Sequence, residues 1–188
     1  MLTEEGLLHL WRRIYRMTSD VTPLPRDCGQ LCDAICCTDW APGVGVYLYP
    51  GEQLLIGSEP WLQRKWHDSR RYMFPPSWKK GGWFITCNEA CERELRPFGC
   101  RTFPLTAHLD ERGRLSMVLD ENGAGICPLI KTGAAEFLTA TFRATMQEAW
   151  KLLLCVKPIR DDVLMASEAR RRRARARGTD TDRVGGGA

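Results

Sequence analysis

The sequence predicts an α+β fold: a small, irregular, cysteine-rich core with a β-hairpin, flanked by N- and C-terminal helices. Three observations carry that expectation. Apolar residues recur at helical spacing near both ends, short alternating runs bounded by glycine and proline lie between them, and eight of the nine cysteines fall in that middle stretch.

The first helix is predicted over residues 3–17. Thr3 suits the N-cap, Glu4 and Glu5 suit the positive end of the dipole, and Leu7, Leu8, Trp11, Ile14 and Tyr15 share one face. "TPLPRD" then breaks the helix. "APGVGVYLYPGE" holds a short alternating strand of Val44, Val46 and Leu48, closed by Pro50-Gly51. Residues 57–82, rich in Trp, Pro, Arg and Lys without periodicity, predict an irregular excursion with a short helix near 59–66. "WFIT" at 83–86 predicts a strand ending on Cys87. "TFPLTAHLDERGRLSMVLD" predicts a hairpin turning at Asp110-Glu111-Arg112-Gly113, the glycine suiting a positive φ. A second long helix is predicted over 133–156, with Phe137, Leu138, Phe142, Ala149 and Leu153 as its apolar stripe. Pro158 ends it, and a shorter helix follows near Asp161, where the Asp161-Asp162 pair suits a helix start.

At 188 residues the chain suits one domain with a tail: a domain over 1–166, its core at 28–130, and a basic, disordered tail over 167–188. The formal net charge of +4 belongs to that tail. Seven arginines against three acids from Glu168 to Arg183 leave equal numbers of basic and acidic residues elsewhere. The six arginines from Arg170 to Arg177 make nucleic-acid binding a candidate, a solvated basic tail being the plainer expectation. Trp61, Trp66, Trp78 and Trp83, interleaved with basic residues, suggest either a surface for a protein partner or a loop that covers the core. No apolar run approaches the roughly 18 residues of a membrane span, so no membrane insertion is expected. Acids stand where a signal peptide carries its basic n-region, and a cytoplasmic location is expected.

In a reducing compartment, clustered cysteines more often bind metal or do redox chemistry than form structural disulfides, and nine cannot all pair. "DCGQLCDAICC" supplies Cys28, Cys32, Cys36 and Cys37; "CNEACERELRPFGC" supplies Cys87, Cys91 and Cys100; "GICP" supplies Cys127. On one continuous helix Cys28, Cys32 and Cys36 share a face, yet the first and third lie about 12 Å apart along the axis. One ion cannot span that, so the helix breaks or the cluster serves two centres. Neighbouring side chains diverge, and the adjacent Cys36 and Cys37 are therefore expected to serve different centres. Eight ligands divide into two tetrahedral sets of four. Cys155, inside the apolar "WKLLLCV", is set apart as a buried small apolar residue. No C-x-x-C occurs, a radical-type C-x3-C-x2-C fails at Ile35, and ferredoxin-type runs are absent. His9, His67 and His108 are isolated, and no Ser/His/Asp set or phosphate-binding glycine loop is visible.

The block Cys91, Arg96-Pro97, Cys100-Arg101, Phe103-Pro104, preceded by Cys87 and by a dense cluster ending in Cys36-Cys37, resembles the YkgJ-like cysteine-cluster family, described as a zinc- or iron-chelating domain. "GVYLYPGE" is similar to the segment that follows the cluster in that family, and the resemblance covers about residues 28–130. The family pattern C-x2-C-x2-CC has three intervening residues here in place of two. The resemblance implies metal chelation by the clustered cysteines. Zinc and iron–sulfur clusters both take tetrahedral thiolates, so spacing does not choose between them. Eight cysteines with few histidines favour iron–sulfur with a redox or sensing role; a structural zinc module that binds a partner is the alternative. Arg96 and Arg101, flanking Cys100, either stabilise thiolate charge or fix the loop through carbonyl contacts.

Overall fold

Thr3 opens the first element as expected. Its hydroxyl accepts from the Gly6 amide at 3.1 Å, and helix α1 (Glu4–Met17) follows with Trp11 and Ile14 buried. The computed structural model describes residues 2–38, 45–88, 91–133 and 137–178. Within it, an antiparallel sheet of β1 (Val46–Tyr47), β2 (Leu62–Asp68) and β3 (Gly81–Cys87) runs in the order β1-β3-β2. Val44, expected in the first strand, lies outside the described residues.

The short helix expected near 59–66 is corrected to strand. β2 pairs with β3 from Leu62 opposite Cys87 to Asp68 opposite Gly81. Period-two spacing puts Arg64 and Trp66 on one face, where Trp66 meets Trp83 edge-on at 5.1 Å and the Arg64 guanidinium lies 5.0 Å from the same ring. These cross-strand contacts give an aperiodic-looking stretch its strand, and no helical spacing would make them. Gly81 starts β3 at φ +130°, where any Cβ would sit 1.9 Å from the His67 carbonyl oxygen.

The hairpin forms as expected. β4 (Leu105–Leu109) pairs with β5 (Leu115–Leu119), and the Asp110 carboxylate closes the turn by accepting from the Arg112 and Arg114 amides and from Arg114 Nε. Three short helices, α2 (Ile35–Thr38), α3 (Phe98–Thr102) and α4 (Pro128–Lys131), sit in the loops.

The C-terminal helices differ from expectation. α5 (Ala140–Leu153) begins later than residue 133 because Thr139 caps it, accepting from the Phe142 amide at 3.1 Å. Phe137 therefore precedes the helix and is 65% exposed, while Leu138, Phe142, Ala149 and Leu153 are buried with Met146 and Trp150. Pro158 opens the next helix, α6 (Lys157–Ala176), where its missing N–H has no helical partner to lose. α6 is the longest helix described and carries the arginine run, so the disorder expected from residue 167 gives way to helix as far as Ala176. Residues 179–188 lie outside the described residues.

The reason is tertiary. Buried Ser167 accepts from the Leu109 amide at 3.0 Å and donates to the Val163 carbonyl at 2.6 Å. Arg170 donates to the Ala107 carbonyl and Arg171 to the Leu109 carbonyl. The edge of β4 turned to α6 is thus satisfied by side chains of α6, which gives this helix a fixed seat. Arg172, Arg173 and Arg175 pair with Glu168, Glu121 and Glu111.

α1, α5, α6, α3 and the hairpin close over one core that includes Trp11, Phe98, Leu105, Phe142, Trp150 and Ile159. A smaller cluster of Leu48, Ile56, Leu62 and Ile85 underlies the three-stranded sheet. No described helix is long and apolar enough to cross a membrane.

If α6 is held by the hairpin edge, Arg171→Ala lowers stability by about 1.5–3 kcal/mol, the range for a hydrogen bond involving a charged group. Thermal unfolding followed by circular dichroism reads this; an unchanged midpoint is the result expected of a free tail.

Candidate metal centre

The first cysteine cluster is not one helix. A single tight turn spans Cys28–Leu31, with Asp27 accepting from the Gly29 amide at 3.1 Å. Asp33 and Ala34 then take φ of +51° and +52°, and α2 restarts at Ile35. Two successive non-glycine residues in the left-handed region are strained, on the order of 1–2 kcal/mol each. That kink breaks the continuous face that would hold Cys28 and Cys36 about 12 Å apart. Cys36 and Cys37, whose side chains are expected to diverge, instead hold their sulfurs 3.9 Å from each other.

The second cluster rests on two buried ionisable side chains. Glu52, 0% exposed, accepts from Tyr15 Oη at 2.8 Å, the Tyr49 amide at 2.9 Å and the Phe98 amide at 2.6 Å. It joins α1, the segment after β1, and the start of α3. Arg101, also buried, donates to the Arg96 carbonyl at 2.7 Å, to the Tyr15 carbonyl and the Thr18 hydroxyl at 3.2 Å each, and to the Glu94 carbonyl. Its guanidinium lies 4.0 Å from the centre of the Tyr15 ring. Of the two expected roles, Arg101 takes the carbonyl-fixing one. Arg96 takes the other: its guanidinium reaches Cys91, its charge favours the Cys37 and Cys91 thiolates, and its buried Nε has no hydrogen-bond partner.

All nine cysteines are free thiols. Burial pushes the Cys28 thiol up to about 11, helped by Asp27 and by the thiols of Cys32 and Cys127. Cys36 is raised by its hydrogen bond with Cys37 and by burial, with Cys28 and Cys32 as further neighbours. Cys37 is lowered to about 6, first by that hydrogen bond and then, against burial, by Arg96. Burial raises Cys87 to about 11, followed by the charges of Cys91 and Cys37. Cys100 is raised by burial, then by Cys37, Cys91 and Cys87. Around the contacting Cys36-Cys37 pair the thiols have two groups of neighbours, Cys28, Cys32 and Cys127 on one hand and Cys87, Cys91 and Cys100 on the other. The pair Cys36-Cys37 is the joint between them. Among the described residues, no three His, Cys, Asp or Glu side chains converge closely enough to hold an ion as they stand. The donor chemistry nonetheless fits a thiolate-bound metal, since Arg96 brings an unpartnered cationic donor to the second set.

Cys155 is a correction: it is exposed, its sulfur 3.7 Å from the Lys151 carbonyl, because the α5–α6 junction turns Leu153, Val156 and Ile159 inward instead. No histidine joins the thiols. His9 is exposed near Glu5, His108 lies by Arg170, and buried His67 is stacked between Tyr72 and Phe84 and bonded to Tyr47 Oη at 2.7 Å.

A cavity of about 450 Å³ adjoins the joint, with Cys36, Cys37 and Cys100 in its lining. Asp162 of α6 also lines it. The sequence suggested a helix start for the Asp161-Asp162 pair, but α6 begins at Lys157: Asp161 pairs with Lys157 at 2.6 Å, and Asp162 faces the cavity. Burial pushes the Asp162 carboxyl up to about 6, the charge of Arg170 opposing. Asp162 reaches the cavity wall through the seating of α6, which local sequence does not display.

No protein-family model, curated protein or solved structure matches the chain.

The Asp162 carboxyl has a folded pKa of about 6 against 3.8 when unperturbed, so the folded chain binds its proton more tightly than the unfolded chain. Its contribution to stability is fullest below the unfolded value and is lost as pH rises toward 6. Asp162→Asn is expected to stabilise the fold at neutral pH by on the order of 2–3 kcal/mol and to change little near the unfolded pKa. Urea unfolding at the two pH values measures the difference.

Proposed function

We propose that this chain is a thiolate-ligated metalloprotein of the YkgJ-like cysteine-cluster kind, carrying iron–sulfur in a redox or sensing role. The observation that carries the reading is the gathering of Cys28, Cys32, Cys127, Cys87, Cys91 and Cys100 as neighbours about the contacting Cys36-Cys37 pair. Cys28, Cys32, Cys36 and Cys127 would hold one centre, and Cys37, Cys87, Cys91 and Cys100 the other. An iron–sulfur cluster, when bound, supplies one-electron chemistry whose potential responds to nearby charge and hydrogen bonds. The chain's own contribution is to seat the thiols on strained or tightly bonded loops and to set the Arg96 guanidinium against the thiolate charge.

A second reading is structural zinc. In tetrahedral zinc thiolate sites with Zn–S near 2.3 Å, the sulfurs are about 3.8 Å apart. The Cys36-Cys37 separation of 3.9 Å suits one edge of such a tetrahedron, which would place both in a single centre. Zinc would then tie the cluster loops to α3, and the exposed edge of the sheet or the arginines of α6 would serve a protein or nucleic-acid partner. Five of the six arginines from Arg170 to Arg177 already engage carbonyls or carboxylates of the fold, which weighs against nucleic acid.

Anaerobic purification with iron, acid-labile sulfide and zinc analysis separates the two. Iron and sulfide in equal amounts with brown absorbance are expected; zinc alone in a colourless protein would overturn the iron–sulfur reading. Cys37→Ser and Cys100→Ser are expected to lose metal, and Cys155→Ser to retain it in full.

A further inference from the structure

The cavity beside the cysteine joint has a composition that a metal centre does not explain. Its volume of about 450 Å³ lies in the range of small-molecule sites. One wall is a continuous run of rings. Tyr47 meets Phe74 edge-on at 5.1 Å, Phe74 leans on Trp78 at 5.3 Å, and Trp78 reaches Tyr49 at 6.3 Å. Two carboxylates, Asp120 and Asp162, share the same lining. Met73, 86% exposed, belongs both to the lining and to the surface, so the cavity is reachable from solvent.

Asp162 is the informative group. It accepts no hydrogen bond among the described residues, and burial opposes its charge. The cation nearest to it in effect, Arg170, commits its guanidinium to the Ala107 carbonyl, Ser167 and His108. Asp120 spends Oδ1 on the Asn122 amide, capping the turn Glu121–Gly123. A half-buried carboxylate with no partner from the chain is poorly solvated, so a cation entering the cavity gains by pairing with it. Aromatic faces and carboxylates together present negative potential on several sides of one space, which is the chemistry that recognises a cation with an apolar body. An anion would meet Asp120 and Asp162 and gain only Arg96, whose charge is directed at Cys37 and Cys91.

We propose that this cavity is a binding site for a small organic cation, an ammonium group on an aromatic or alkyl body, held by Asp162 against the Tyr47–Phe74–Trp78–Tyr49 wall. The cavity size points to a free small molecule. The site does not depend on which metal the thiols hold, and because it abuts Cys36, Cys37 and Cys100 its occupant would sit beside whatever chemistry they support.

The test is isothermal titration of the full chain, its metal content measured in parallel, at a pH above that of Asp162 ionisation. Three probes of one shape are compared: phenethylammonium, the neutral phenethyl alcohol, and the anionic 3-phenylpropionate. Saturable one-to-one binding of the cation, with the neutral probe at least about tenfold weaker and the anion weaker still, is the expected order. Asp162→Asn is expected to weaken the cation by about tenfold and leave the neutral probe unchanged. Because that substitution is expected to stabilise the fold, a loss of binding is not a loss of structure; Asp120→Asn serves as the second variant, and Trp78→Leu is expected to weaken both probes. Equal binding of cation and alcohol, a preference for the anion, no binding of the cation, or full cation affinity in Asp162→Asn would each overturn the proposal.

Discussion

A carboxylate shut off from water holds this fold to its cysteines. Glu52 cannot be solvated where it lies, so its oxygens must be met by donors from the chain, and the three that meet them come from α1, the segment after β1, and α3. Arg101 does the converse with the same neighbours, spending its guanidinium on the carbonyls of Tyr15, Glu94 and Arg96 and on the Thr18 hydroxyl. Buried polar groups are costly when half satisfied and specific when fully satisfied. The consequence is that the Arg96–Arg101 stretch has one seat, with Arg96 directed toward Cys37 and Cys91.

The same logic recurs at the other end of the molecule. One edge of β4 would expose amide and carbonyl groups, and α6 covers it with Ser167, Arg170 and Arg171. This explains how a compositionally simple arginine run becomes an ordered helix, and why most of its charge is turned to structural use. Seating α6 in this way also carries Asp162 to the cavity wall, linking the packing of the C-terminal helix to the character of the pocket beside the thiols.

The first cysteine cluster is shaped by strain in place of burial. Left-handed backbone at Asp33 and Ala34 bends the chain between Cys32 and Cys36, so that the thiols of that segment do not line one helix face. Non-glycine residues hold such geometry only where surrounding contacts or a ligand over-determine it.

By itself the sequence determined the α+β class, the capped first helix, and the hairpin and its glycine turn, because these depend on local periodicity, capping chemistry and turn residues. It also showed that one straight helix could not serve a single ion, and the kink at Asp33-Ala34 is the answer to that geometry. The tertiary structure alone decided the rest. Residues 62–68 became strand because Trp66 and Arg64 found Trp83 across the sheet, a contact with no local signature. The tail became helix because β4 offered an edge to bond. Glu52 carries no local signal of its burial, and Asp162 reads as a helix-start acid until α6 is seen to begin at Lys157. Each of these outcomes rests on partners tens of residues away, and burial of that kind has no period for a sequence to display.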